Sequence, residues 1–170
     1  MGPERWAGGW ARGFQFRAVP ARVRPEQTML RERALTMISH HAALIYTMVI
    51  MSAADRDMSD AELGAMSDMV GHLPVFKDYD KSMISKTSAS CVEMLKGGDG
   101  LDKILKLIRA ALPEKLRETA YALACDVAAA DSSVTPEEAR MLDLLRYELQ
   151  IGKLVAAAIE RGARARHLTA

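Results

Sequence analysis

From residue 37 to the end of the chain, apolar residues recur every three or four positions, and short polar clusters punctuate them. That is the period of helices that bury one face. Leu44, Ile45, Met48, Val49 and Met51 predict a helix with one buried face from about His40 to Ala54, opened by Ser39 as its cap. Ser59-Asp60-Ala61-Glu62 has the S-x-x-E form, in which a hydroxyl and a carboxylate satisfy helix-end amides reciprocally, and predicts a helix to about Gly71. Pro74 breaks the segment HLPVFKDYD. Asp80 then caps a helix predicted from Lys81 to Lys96, stopped by Gly97-Gly98. Leu101, Ile104, Leu105 and Ile108 mark the buried stripe of the next, to Leu112. Pro113 fits the first turn of another that runs to about Ala130. Thr135-Pro136-Glu137-Glu138 is a second capping box, opening a helix to about Leu149, and Ile151–Arg161 makes the last. No Val/Ile-rich alternating run stands between turn signals. The pattern predicts an all-α fold, a compact bundle of about seven helices with short connections.

One internal repeat concentrates the polar chemistry. The stretch Ala53 to Glu62 has a counterpart 76 residues later, Ala129 to Glu138. Each reads Ala-Ala-Asp, a short turn, a hydroxyl cap and a glutamate at the third helical position. Two helix-turn-helix copies of this kind predict an approximate two-fold symmetry within the bundle. Capping alone accounts for Ser59 with Glu62 and for Thr135 with Glu138, and is worth about 0.5–2 kcal/mol. It leaves over Asp55 and Asp131, each at the C-terminal end of a helix, where the dipole disfavours an anion by about 0.3–1 kcal/mol. Asp57 and Asp60 add carboxylates to the first copy, and Asp126 lies just before Asp131. A hard divalent cation, Ca²⁺ or Mg²⁺, relieves such repulsion because it takes clustered oxygen ligands. Two readings stand side by side. One is turn-and-cap structure alone, with Asp126 in a surface or interhelical hydrogen bond. The other is a metal site that gathers Asp55 and Asp131, with Asp57 and Asp60 of the first copy beside it and Asp126 approaching the same polar patch. Asp55-x-Asp57-x-Ser59 also matches the opening of an EF-hand loop. Asp60 stands where that loop needs Gly, and Met66 where it needs Glu, which excludes it. His40-His41 is a poor metal pair, because adjacent helical residues diverge by about 100°.

Composition changes the picture mainly at the N-terminus. Residues 1–36 carry seven Arg against three Glu, whereas the remainder carries 16 Lys and Arg against 19 Asp and Glu. The body is therefore mildly acidic, which gives no bulk electrostatic case for nucleic acid. The first 28 residues, with four Gly, three Pro and five Arg, lack helical periodicity and an apolar signal core. Residues 1–36 read as a disordered basic extension: an arm for an anionic partner, a transit peptide, or a translated upstream region with initiation at Met29 or Met37, the last being favoured. Residues 37–170 form the organised domain. Trp6, Trp10, Phe14 and Phe16 carry no function in this reading. No run of about 18 apolar residues exists, so no membrane span is expected. Cys91 and Cys125 lack CxxC spacing and read as buried thiols in a reducing compartment, which places the protein in the cytoplasm.

The blocks M-S-A-A-D-x-D-M-S-D-A-E-L, H-L-P-V-F, A-L-P-E-K-L-R-E-T-A-Y-A-L-A-C-D-V-A-A-A-D and L-V-A-A-A-I-E-R-G-A-R-A-R resemble the bacterial tellurite-resistance TerB family, in particular its small stand-alone alphaproteobacterial members. The resemblance covers about residues 37–168. It implies an all-helical fold, a divalent-metal site on acidic residues of both repeats, and a role in metal or oxidative stress. Carried onto this sequence, the implied ligands are Asp55 and Glu62 from the first motif and Asp131 and Glu138 from the second. Two departures stand out. Arg56 and Ser132 occupy a position that is often Gly, and Ser133 stands where the first copy has Asp57.

Three function classes remain. The first is a metal-binding stress-response domain. The second is a metal-free helical interaction module, with other proteins and membrane-associated complexes as partners; the eleven Met serve it as core filler or as an adaptable surface. The third is a carboxylate hydrolase, motivated only by acidic clustering. The sequence lacks a Ser–His–Asp pattern, a Gly-rich phosphate loop, HExxH and CxxC, so no enzyme is expected.

Overall fold

The computed structural model describes residues 37–53, 60–130 and 134–168, with the backbone alone for 60–62. The chain divides into two units, Met1–Leu35 and Thr36–Ala170. The first unit, and with it the reading of residues 1–36, lies outside the described residues.

Among the described residues seven α-helices follow one another: α1 His40–Ser52, α2 Asp60–His72, α3 Ile84–Leu95, α4 Gly100–Ala111, α5 Arg117–Ala129, α6 Pro136–Glu148 and α7 Lys153–Arg166. Single 3₁₀ turns at Pro74–Phe76, Lys81–Met83 and Glu114–Leu116 fill the connections. The fold is an all-α bundle. Its repeat is visible in the elements: α1 and α2 on one side, α5 and α6 on the other, are each 13 residues long.

The caps explain most boundaries. Ser39 Oγ accepts from the Ala42 N–H at 3.1 Å and opens α1. Asp80 Oδ1 accepts from the Ser82 N–H at 3.0 Å, but the turn it opens is 3₁₀, and α geometry begins only at Ile84. Pro113 stands outside its helix rather than in its first turn. Its ψ of 151° is extended, and its carbonyl accepts from the Leu116 N–H at 2.9 Å. The end of α6 is closed by a left-handed residue that is not glycine. Gln150 has φ 58°, and the Ile151 N–H reaches the Arg146 carbonyl at 3.0 Å while the Gln150 N–H reaches that of Tyr147 at 3.1 Å. This is the paired closure of a Schellman motif. It displaces the start of α7 to Lys153, and α7 runs one turn past its expected end at Arg161, to Arg166.

The core is centred on α1. The spacing predicts one buried face; instead every residue from Ala43 to Met51 is buried. A helix apolar all round belongs in the middle of a fold. Thr47, buried among them, donates to the Ala43 carbonyl at 2.9 Å, which satisfies its hydroxyl within the helix. Around α1 pack α5, α3, α4, α6 and α2; α7 lies on α5 as α3 lies on α1.

Cross-links between helices fix their directions. Lys115, just before α5, lies close enough to His40, at the start of α1, to act on its charge. Since α1 and α5 lie alongside each other, they run parallel. Tyr121 bonds to Glu160, and Asp126 to Arg166, so α5 and α7 also run parallel. Arg109 near the end of α4 bonds to Gln150 just past α6. α1, α5 and α7 therefore run one way, and α4 and α6 end together. The exits of α1 and α5, at Ala53 and Ala130, leave the bundle at the same end. No helix among the described residues is long and apolar enough to cross a membrane.

Candidate functional site

The chain enters each copy of the duplicated acidic motif from the common end of α1 and α5, at Ala53 and Ala130. Asp55, Asp57 and Asp131 lie outside the described residues, and Glu62 is placed as a backbone position in the first turn of α2. Glu138 is described, and it is 7% exposed. Its Oε2 accepts from the Thr135 N–H at 2.9 Å and from the Thr135 hydroxyl at 3.1 Å. The Glu138 N–H in turn donates to Thr135 Oγ1 at 3.2 Å. The second capping box thus forms as the sequence reading has it. A buried carboxylate is tolerated here because helix-end amides and the dipole compensate it.

Asp126 sits on the same end but faces α7. Its Oδ1 accepts from Arg166 Nη2 at 2.6 Å and lies 3.5 Å from His167 Nε2. Of the two sequence readings for Asp126, this is the interhelical hydrogen bond. Binding a cation there would require Asp126 to exchange Arg166. Ser52, at the end of α1, has a buried Oγ with no hydrogen-bond partner. Among the described residues no three His, Cys, Asp or Glu side chains converge as a metal set.

The histidine pair is at the opposite end. The His40 and His41 rings lie 4.0 Å apart, but they serve different neighbours. His41 Nε2 is 2.8 Å from the Val75 carbonyl, and its ring packs against Phe76 and Tyr79. His40 is exposed; burial of its ring, then the charges of His41 and Lys115, hold its pKa below the ordinary imidazole value. His41 pins the start of α1 to the Leu73–Tyr79 turn.

Both cysteines are buried and unbonded. Burial is the main cause that pushes each thiol up to about 12. They are core residues rather than nucleophiles.

A groove that sequence reasoning missed runs between α5, α6 and α7, with a volume of about 620 Å³. Its floor is made of small residues, Ala128 and Ala129 from α5, Ala139 from α6 and Ala163 from α7. Leu142 closes one wall. At mid-depth the Tyr121 hydroxyl donates to Glu160 Oε1 at 2.7 Å. Burial, followed by this bond, raises the Tyr121 pKa far above the ordinary phenol. The only sequence signal was a density of alanines on three separate helices, and helix propensity explains alanine equally well.

No protein-family model, no curated protein and no solved structure matches the chain.

Proposed function

We propose that this chain is a TerB-like stress-response domain, cytoplasmic and non-enzymatic, that holds a divalent cation, Ca²⁺ or Mg²⁺, between its two acidic corners. Asp55 and Glu62 supply one half and Asp131 and Glu138 the other, with Asp57 and Asp126 in reserve. The observation that carries this reading is the parallel course of α1 and α5, by which both helix ends that enter the motifs leave the bundle on one side. Antiparallel helices would have sent them to opposite ends. The donor set suits a hard cation: carboxylates, one of them buried in a cap, and the unpartnered Ser52 oxygen beside the first motif. The link to tellurite, metal or oxidative stress rests on the sequence resemblance.

Calorimetric titration of the full chain with Ca²⁺, Mg²⁺, Mn²⁺ and Zn²⁺ tests it. We expect saturable heat and a rise in melting temperature with one of the first two, since a ligand at 100 times its Kd adds about 2.7 kcal/mol to folding stability. The Asp55→Ala, Asp131→Ala double variant should lose both. Absence of heat and of any thermal shift with all four ions would overturn the proposal.

A metal-free interaction module is the second reading. It is favoured by large apolar side chains left outside the core: Leu154 is 88% exposed and Tyr147 78%. Partners that still bind the Asp55→Ala, Asp131→Ala variant but not one with Leu154→Ser and Tyr147→Ser would support it.

A further inference from the structure

The groove between α5, α6 and α7 has a charge order that its apolar floor does not require. Asp143 on α6 and Glu160 on α7 line it at the level of Tyr121. Arg164 and His167 line it further along α7, toward the end where α5 finishes. The groove is thus acidic at one end, with Asp143 from α6 and Glu160 from α7, and basic at the other, with Arg164 and His167 of the α7 wall, and alanine and leucine lie between. Most of these charges are engaged. Asp143 lies 3.5 Å from Arg146, Glu160 accepts from Tyr121, and His167 leans on Asp126 at 3.5 Å. The Arg164 guanidinium alone among them has no ion-pair or hydrogen-bond partner among the described residues, and the residue is exposed. A guanidinium at the end of an apolar slot is suited to a carboxylate, which it can grip with two parallel N–H bonds.

The spacing sets the length of the occupant. At about 1.5 Å per residue, Arg164 stands about 6 Å from Glu160 along the α7 axis and His167 about 10 Å. An extended peptide advances about 3.4 Å per residue, so two residues span about 7 Å and three about 10 Å. That span matches two or three extended residues. The volume of about 620 Å³ falls in the usual range for a small-ligand site.

We infer that this groove binds a short apolar peptide of two or three residues with both termini free. Its carboxylate lies at Arg164 and His167, its ammonium at Glu160 and Asp143, and its side chains on the alanine floor beside Leu142. The groove uses none of Asp55, Glu62, Asp131 and Glu138, and it meets the proposed cation site only through Asp126, which lies 3.5 Å from His167.

The test is calorimetric titration of the full chain with Leu-Leu-Leu, and with its C-terminal amide and N-acetyl forms. The free tripeptide should bind saturably. The amide should bind at least tenfold more weakly, and the N-acetyl form several-fold more weakly. Arg164→Glu should reproduce the loss seen with the amide, and Glu160→Gln that seen with the acetyl form. Ala139→Leu, at an exposed position on the floor, should block binding without lowering the melting temperature, which separates filling of the groove from unfolding. The inference is overturned if the wild-type chain does not bind the free tripeptide, if the amide binds as well as the acid, or if Arg164→Glu has no effect. Equal binding of the acetyl form overturns it as well, because the groove would then be a receptor for the C-terminus of a protein chain.

Discussion

Gln150 carries the clearest local strain in the described chain. A side chain in the left-handed region costs about 1–2 kcal/mol, which is why glycine usually closes a helix in this way. Its amide oxygen accepts from Arg109, and that bond to α4 offsets part of the cost. Because the bond is exposed, it recovers only part of it. Gln150→Gly should therefore raise stability by about 0.5–1 kcal/mol, read from the urea midpoint at unchanged m-value. No change, or a fall, would show that the Arg109 bond dominates. The thiols give a second residue-scale expectation. With pKa values about 12, Cys91 and Cys125 present roughly one thiolate in 100,000 at pH 7. A thiol reagent should modify neither in the native chain and both once urea unfolds it; rapid native labelling would contradict their place in the core.

At the scale of elements, the α3–α4 hairpin depends on one glycine. A Cβ on Gly100 would stand 2.9 Å from the Leu95 Cα and closer still to the Met94 carbonyl, both backbone atoms that cannot swing aside. A Cβ on Gly98 meets nothing within 4 Å. Gly100→Ala should cost about 1–3 kcal/mol by overpacking, whereas Gly98→Ala should stay within about 0.5 kcal/mol of wild type. Thermal melts of the two variants check this; equal melting temperatures would sink it. The sequence reading assigned the end of the preceding helix to Gly97-Gly98, and the residue under constraint is the next glycine. Caps written in side chains were legible: Ser39, Asp80 and Thr135 with Glu138 all accept the amides expected of them. Boundaries set by backbone alone were not. Pro113 is equally compatible with a first turn or with an extended cap, and the Gln150 closure has no glycine to announce it.

At the scale of the whole molecule, His40 reports how tightly the foot of α1 is held. Its pKa is depressed in the fold by burial, then by His41 and by Lys115. The unfolded chain therefore takes up the proton more readily, and stability must fall as pH drops through about 6.5, the unfolded value. Above that pH both states are neutral and the term vanishes. The loss of stability between pH 7.5 and 5.5 should be smaller in His40→Gln than in wild type. An equal loss in both would mean that neither burial nor the charges of His41 and Lys115 act on the imidazole. The nearness of Lys115 to His40 also makes α1 and α5 parallel, and so underlies the metal reading. The acidic repeat was plain in the sequence, but a repeat fixes residue identity, not which end of a bundle each copy reaches.

Helix number, helix class, the duplicated unit and most caps were determined by the sequence itself, because they depend on periodicity and on side chains within four residues of the amides they serve. Only the tertiary structure decided that α1 is enclosed on every side, that α1 and α5 run the same way, and that alanines from three helices leave a groove with acid at one end and Arg164 at the other. Those features arise from residues far apart in the chain. Local propensity is the same for an alanine that packs a core and for one that leaves space beside it.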